Sequence, residues 1–159
     1  MPHLIVVPKS RSATGNNLSI SQADLDSLVR SKAAMYTILE TITASVGISL
    51  RDIGDFFVAG TFGAYIRPES AIGIGMLPDL PRETYQSIGN SSLAGATKVL
   101  TGNAEMAEID LIRNRITYME LNVNQDFMNR FSAAKFIPHT DKTLFPSFHP
   151  HARKESTSA

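Results

Sequence analysis

The order of apolar and polar positions along the chain predicts alternating strands and helices. Short apolar runs at residues 3–8, 55–59, 84–89 and 116–121 are typical of strands, and the continuous run at 55–59 is expected of a strand buried on both faces. Longer stretches with polar caps predict helices at about 22–46, 68–76, 91–100, 104–115 and 124–136. This alternation predicts an α/β fold with helices on the faces of a short sheet.

The first helix carries the strongest pattern. Ser21 and Asp24 predict a capping box at its start, and Gly47 ends it. Apolar residues recur at steps of three and four and predict one buried face, made of Leu25, Leu28, Val29, Tyr36, Leu39, Ile42 and Val46.

Length and composition predict one domain at residues 1–148 and a flexible tail at 149–159. Because the first strand lies at the very start of the chain, the domain is expected to be a fragment of a larger protein.

A formal net charge of zero indicates neither a nucleic-acid footprint nor a polybasic membrane surface. No apolar run is long enough to cross a bilayer and no signal peptide is evident, so a cytoplasmic location is expected. Since the chain has no cysteine, it contains no disulfide, no zinc–thiolate site and no iron–sulfur cluster.

A glycine turn follows the strand predicted at 55–59. It consists of Gly60, Thr61, Phe62 and Gly63. Glycines at such a strand end let the backbone approach a phosphate, but they also allow a helix to pack closely on a sheet. The turn alone leaves both interpretations open.

The strand at 84–89 ends in the same way, on Gly89 followed by Asn90. Asn90 is either a plain helix N-cap or part of an anion site at the start of the helix. Gly95 inside this helix costs about 1 kcal/mol relative to alanine, which predicts close approach by another helix.

Arg30, Lys32 and Tyr36 lie near one another on the first helix, with Lys32 and Tyr36 on the same face. A cation and an aromatic ring can flank a purine, but by themselves the two residues are better explained as a solvated lysine beside a tyrosine at the edge of the core. His139 and Asp141 lack the convergent partners of a metal or proton-transfer site, and no catalytic or metal-binding residue is predicted.

Several segments in order resemble the C-terminal region of the ATP-dependent reductive activators of corrinoid proteins. The resemblance covers about residues 18–148 and rests on "SISQADLDSLVRSKAAMYTILETI", "DIGDFFVAGTFGAYIRPESAIGIGMLPDLP", "IGNSSLAGATKVL", "ITYMEL" and "FIPHTDKTLFPS". It implies part of an actin-like (ribonuclease H-like) ATPase domain of the actin, sugar kinase and heat-shock chaperone superfamily. The short sheet is then expected to be mixed.

The resemblance also implies a function. Such activators use ATP, with Mg²⁺, and a [2Fe–2S] cluster in an N-terminal domain to return Co(II) corrinoid proteins to Co(I). The implied partners are a corrinoid protein, an N-terminal lobe or second subunit, and a second copy of the chain in a homodimer. The implied nucleotide-binding residues are Gly60, Thr61, Phe62, Gly63, Lys32 and Tyr36, with Arg30, Arg67 and Asn90 as weaker candidates.

The chain departs from the family at two positions. Thr61 stands where glycine or alanine is usual, and since a β-branched residue resists positive φ, the unusual dihedrals are expected on the glycines. Arg67 replaces a residue that is often acidic or amidic.

The phosphate motifs and ferredoxin-like domain found upstream in these activators are not in this sequence, so the chain alone is expected not to be catalytic. The alternative is a non-catalytic interaction or dimerisation module with a vestigial nucleotide turn. A small-molecule kinase is less well supported, because no candidate base or phosphate hairpin is present.

Overall fold

The computed structural model describes residues 3–121 and 123–148. Its strands and α-helices are β1 (His3–Val7), β2 (Leu18–Ser21), α1 (Gln22–Ser45), β3 (Phe56–Ala59), α2 (Pro68–Gly73), β4 (Tyr85–Gly89), α3 (Ser91–Leu100), α4 (Met106–Arg113) and α5 (Gln125–Ala134). Strands and helices alternate from β2 to α3, which confirms the α/β class. The tail predicted at 149–159 lies outside the described residues.

The strands form two separate pairs. β1 and β2 are antiparallel, whereas β3 and β4 are parallel. Both kinds of pairing expected of a mixed sheet therefore occur, but in the described residues they belong to two two-stranded sheets. The hydrophobic pattern does not predict β2, which lies in a polar segment before α1.

The start of α1 is held by the predicted capping box. The Ser21 hydroxyl accepts a hydrogen bond from the Asp24 N–H at 3.2 Å, and the Asp24 carboxylate accepts from the Ser21 N–H at 2.9 Å. Both bonds satisfy N–H groups that have no partner inside the helix. The bonds from Ser21 also lower the pKa of Asp24.

The buried face of α1 differs from the predicted one. Leu28, Ile42 and Val46 are 44%, 48% and 65% exposed, so the prediction is wrong for these three positions. The residues that are buried are Lys32, Ala33, Tyr36, Thr37 and Thr41. The helix faces α5 and the C-terminal segment through this side, and the periodicity of α1 carries no information about those partners.

The core lies between α1, α2, α5 and the C-terminal segment. Its fully buried cluster comprises Ala33, Tyr36, Ala71, Ile72, Leu77, Ala134 and Phe145. Phe56 of β3 and Tyr85 of β4 pack against this cluster with their rings 5.1 Å apart, which joins the parallel strands to the helices.

Residues 136–148 form a strap across this core, called here the C-terminal strap. The Ser147 N–H and hydroxyl donate to the Asp79 carboxylate at 2.7 and 2.8 Å. Phe145 is fully buried, and the Phe148 ring lies against Gly73. The strap therefore adds side chains and polar contacts to the core although it contains no α-helix or strand.

Three further expectations are wrong. Residues 116–121 form no strand, and Ile116 and Tyr118 are 72% and 85% exposed. β3 is not buried on both faces, because Phe57 is 58% exposed on the side away from the core. α2 ends at Gly73 instead of near residue 76, and the chain then turns at Gly75, whose φ is +75°.

Helices α3 and α4 contribute no buried residue. A Cβ added at Gly95 meets no atom within 4 Å, so the close helix contact predicted at this glycine is absent among the described residues. In residues 3–121 and 123–148, no helix is both long enough and apolar enough to span a bilayer.

Candidate functional site

The candidate site is the edge of the sheet where parallel strands β3 and β4 both end. The pairing runs from Phe56 with Tyr85 to Ala59 with Gly89. Directly after it, the Gly60 N–H donates a hydrogen bond to the Gly89 carbonyl oxygen at 2.6 Å. The two glycine turns that the sequence places 29 residues apart therefore lie side by side, and they form what is called here the glycine edge.

Gly60 and Gly89 carry the unusual backbone conformations of this edge. Their φ angles are +89° and +63°, a region that L-residues with a side chain rarely occupy. No non-glycine residue among those described has positive φ. This confirms that the turn accommodates Thr61 by placing its unusual dihedrals on a glycine.

The two interpretations of the glycine turn, ligand approach and close packing, apply to different glycines. A Cβ at Gly63 would lie 2.6 Å from Cγ1 of Val58, so this glycine is required by packing against β3. A Cβ at Gly60 or Gly89 would meet nothing within 4 Å. These two glycines therefore present open backbone, which is what close approach by a ligand needs.

Asn90 has a defined structural role at this edge. Its side-chain oxygen accepts a hydrogen bond from the Leu93 N–H at 3.0 Å and caps α3. The plain N-cap interpretation is thus sufficient for the side chain, while the start of α3 still places N–H groups beside the glycine edge. Contact of Asn90 with a nucleotide remains a prediction.

The other predicted residues of the turn region are exposed or outside the described part. Thr61 is exposed, and Arg67 is exposed at the N-cap position of α2 without capping it through its side chain. The backbone of Phe62 belongs to a short 3-10 turn, and its side chain lies outside the described residues.

Lys32 is used inside the fold. Its side chain is buried, and the Nζ atom donates to the carbonyl oxygen of Pro138 at 2.9 Å and to that of Phe136. Burial lowers the pKa of Lys32 to about 8. The ammonium group thus ties α1 to the C-terminal strap.

Tyr36 lies in the core one turn further along α1. Its ring centroid is 5.4 Å from that of His139 and 5.5 Å from that of Phe145, and the residue is 3% exposed. Burial raises the pKa of Tyr36.

The structure thus brings Gly60, Gly63, Gly89 and Asn90 together, whereas Lys32 and Tyr36 belong to the contact between α1 and the strap. Arg30 is exposed on α1.

His139 and Asp141 stabilise the strap. The His139 Nδ1 accepts from the Asp141 N–H at 3.0 Å, and burial lowers the pKa of His139. The Asp141 carboxylate accepts from the N–H and hydroxyl of Thr143, and these bonds lower the pKa of Asp141. Within the described residues, no three histidine or acidic side chains gather as they would around a metal ion.

A cleft that the sequence does not predict lies at the opposite edge of the parallel strands β3 and β4. Its polar lining includes Glu40 of α1, Arg51 before β3 and Arg130 of α5, and Glu40 pairs with Arg130 at 2.7 Å. These positions are far apart in the sequence and meet only because α5 packs on α1. No local motif indicates them.

Comparison with known proteins decides the family. Residues 1–149 match the family described as the C-terminal domain of RACo, the ASKHA domain. The chain belongs to this family. It is 29% identical over 126 residues to the corrinoid activation enzyme RamQ of Eubacterium limosum, a match that covers 79% of the chain and 21% of RamQ.

A solved structure supports the same assignment. The fold is similar to that of a reductive activator for corrinoid, iron–sulfur protein, with a TM-score of 0.79 and 39% identity over 91% of this chain and 23% of that chain. The chain therefore spans about a fifth of the length of these relatives. The resemblance to the C-terminal region of corrinoid-protein reductive activators is confirmed.

The residues of this RACo C-terminal domain suit a phosphate-bearing ligand but not an iron–sulfur cluster. Two open glycines and the start of α3 at one edge are suited to a phosphate-bearing ligand. A [2Fe–2S] cluster does not fit this chain, because no cysteine is present to bind it.

Proposed function

We propose that the chain is the nucleotide-binding C-terminal subdomain of an ATP-dependent iron–sulfur reductive activator, which returns Co(II) corrinoid proteins to Co(I). One observation carries the proposal: the hydrogen bond from Gly60 to Gly89 aligns two glycine turns and the start of α3 at the carboxyl edge of a parallel pair. In α/β sheets ligands collect at this edge. The relatives, a corrinoid activation enzyme and a reductive activator for corrinoid, iron–sulfur protein, support the proposed reaction class.

The binding surface in this proposal is mainly backbone. Gly60 and Gly89 allow a phosphate or ribose to approach closely, and the partial positive charge at the start of α3 attracts the anion. Thr61, Phe62 and Gly63 complete the turn, and the exposed Arg30 and Arg67 are the proposed cationic contacts.

Lys32 and Tyr36 have an indirect role in the proposal. Lys32 would have to leave two carbonyl oxygens to reach a nucleotide, and Tyr36 would have to leave the core. Exposing those buried groups is costly, so we propose that both residues hold the α1 and strap framework on which the glycine edge is built.

In the complete activator this subdomain forms one wall of the nucleotide cleft. Closure of the two lobes around ATP favours the conformation that contacts the corrinoid partner, because the nucleotide binds that state more tightly. Mg²⁺ binding and the orientation of the attacking water come from the rest of the enzyme. The proposed location is the cytoplasm.

A pair of glycine variants tests nucleotide binding. Gly60→Ala places a methyl group in the open space of the glycine edge, and we expect it to weaken binding of fluorescent ADP to this chain by about tenfold. Gly102→Ala is the matched control, because Gly102 also has positive φ (+72°) and open surroundings but lies after α3. Equal binding by both variants and the unmodified chain would contradict the proposal.

The expected lack of independent catalysis has its own test. The chain is incubated with ATP, a reduced electron donor and a Co(II) corrinoid protein, and the absorbance of Co(I) is followed. We expect no Co(I) and no phosphate release. Formation of Co(I) by this chain alone would show that the essential groups are all present in it.

A second candidate, a non-catalytic interaction module, is favoured by the exposed apolar residues of α3 and α4. Leu93 and Leu100 of α3 are 63% and 87% exposed, and Leu111 and Ile112 of α4 are 55% and 63% exposed. Such a surface usually marks an interaction site. In the leading proposal the other lobe covers it, and in the second candidate a second copy does.

Sedimentation equilibrium shows whether a second copy of the chain, and not the other lobe, covers these helices. If a second copy covers α4, the chain is a dimer and the double variant Leu111→Gln, Ile112→Gln is a monomer. A monomer that binds ADP favours the leading proposal. A dimer that shows no ADP binding favours the interaction module.

A further inference from the structure

We propose a second ligand site, for a small carboxylic acid with an aromatic or branched apolar body, in the cleft at the amino edge of β3 and β4. This amino-edge cleft has a volume of about 190 Å³. It lies between the C-terminal half of α1, the segment before β3 and the segment before β4. Arg51 and Tyr36 supply its recognition groups.

The cleft is separate from the glycine edge. Leu50 and Arg51 precede β3, and Leu80 precedes β4, whereas the glycine turns follow the same two strands. Because the strands are parallel, the two sites lie at opposite ends of the pair. The nucleotide proposal therefore does not explain the cleft.

Charge favours an anion. The Asp79 carboxylate accepts hydrogen bonds from Ser147 and pairs with Arg82 at 3.1 Å, and Glu40 pairs with Arg130 at 2.7 Å. The negative groups of the lining are thus already neutralised.

Arg51 is different. Among the described residues it has no carboxylate within 4.0 Å, and its guanidinium donates only to the Thr143 carbonyl oxygen, at 3.0 Å. A guanidinium has five N–H donors, so Arg51 can still bind a carboxylate through two parallel hydrogen bonds.

Tyr36 provides a second hydrogen-bond donor. It is 3% exposed and lines the cleft, yet its hydroxyl makes no hydrogen bond to another described residue. The hydroxyl oxygen keeps some solvent exposure, so it can donate a hydrogen bond to an oxygen acceptor of a ligand in the cleft.

The remaining residues that line the cleft indicate the size and apolar character of the ligand. Ala44, Ile48, Leu50, Leu80 and Leu144 give the cleft apolar walls beside the ring of Tyr36. A volume of about 190 Å³ is below the usual range for drug-sized ligands, so the cleft suits a molecule of about ten non-hydrogen atoms. An aromatic monocarboxylate combines this size with the required charge.

The test uses 4-fluorobenzoate as the probe. Fluorine NMR line broadening measures its affinity for the chain, and amide chemical shifts locate it. We expect shifts at residues 48–51 and 78–80, and about tenfold weaker binding of 4-fluorobenzamide, which has the same shape without the charge. Shifts confined to other parts of the chain would overturn the proposal.

Matched variants assign the recognition groups. Arg51→Gln is expected to weaken 4-fluorobenzoate binding by about tenfold, whereas Arg115→Gln removes an exposed arginine outside the cleft and is expected to have no effect. Tyr36→Phe keeps the ring in the core and is expected to weaken binding several-fold. Equal affinity of Arg51→Gln and Arg115→Gln, or competition by ADP for the cleft, would overturn the proposal.

Discussion

The same residue type has different roles at different positions of this chain. Gly60 has positive φ and open surroundings, Gly63 has no room for a Cβ, and Gly95 has open surroundings without positive φ. In the sequence, Gly60 and Gly63 form one motif, and Gly95 is predicted to allow close packing of a helix. Of these three glycines, Gly60 alone combines positive φ with open surroundings, the two features that a ligand turn requires.

Two alanine variants are expected to change stability in opposite directions. Gly95→Ala should raise the free energy of unfolding by about 0.5–1 kcal/mol, because alanine favours the helix and the new methyl group meets no atom. Gly63→Ala should lower it by about 1–3 kcal/mol, because Val58 must move. Urea unfolding measures both, and a destabilising Gly95→Ala would mean that α3 has a packing partner within this chain.

Lys32 predicts a pH dependence of stability. Its pKa is about 8 in the folded chain and near 10.4 when unfolded, so above pH 8 the folded chain binds fewer protons and becomes more stable as the pH rises. Below pH 8 both states are protonated and the effect is constant. The raised pKa values of Tyr36 and Tyr85 act in the opposite direction only above about pH 10.

The measurement compares the unmodified chain with Lys32→Met by urea unfolding. Lys32→Met should be less stable, because the carbonyl oxygens of Phe136 and Pro138, the second of them buried, lose their donor. Its deficit should widen by about 1–2 kcal/mol between about pH 7.5 and about pH 9.5. Lys98→Met, at an exposed lysine of α3, is the control. A deficit that stays constant over this range would show that Lys32 is not buried as described.

At the scale of elements, helix caps were predictable from the sequence, whereas the contacts between helices and strands were not. The capping box of α1 and the Asn90 cap of α3 depend on residues three positions apart, and both predictions are confirmed. The buried face of α1 and the absence of a strand at 116–121 depend on contacts that the pattern does not contain. The glycine turns were found locally, but their alignment needed the pairing of β3 with β4.

The C-terminal strap shows how a segment without regular structure can stabilise the fold. A Cβ at Gly75 would lie 1.9 Å from the carbonyl oxygen of Pro138, which Lys32 also binds. The turn after α2 and the strap are therefore in direct backbone contact. The motif "FIPHTDKTLFPS" indicates the family, but its sequence pattern does not predict a role in the core.

Gly75→Ala is expected to destabilise the chain by about 3 kcal/mol or more, because the strap must move in addition to the strain of positive φ. Gly102→Ala has the same kind of backbone strain without a clash and should cost about 1 kcal/mol. Thermal unfolding compares the two. Equal losses of stability would show that the strap does not pack on the Gly75 turn.

At the scale of the whole molecule, the described residues form a framework with two chemically different edges and two helices without buried residues. The glycine edge presents open backbone, the amino-edge cleft presents Arg51 and Tyr36, and α3 and α4 present apolar side chains. The chain spans about a fifth of the length of its relatives, and in the leading proposal the rest of such a protein covers these two helices. Family membership was evident from ordered motifs, whereas the amino-edge cleft required the assembled fold.

Amide hydrogen exchange of the chain, with and without ADP, is the measurement to make. Nucleotide binding at the glycine edge predicts slower exchange at residues 60–63 and at 89–93, with no change at Gly102 or in α4. At an ADP concentration near the dissociation constant of the unmodified chain, Gly60→Ala should greatly reduce this protection and Gly102→Ala should retain it. Unchanged exchange at the glycine edge at saturating ADP, or protection confined to the amino-edge cleft, would contradict nucleotide binding at the glycine edge.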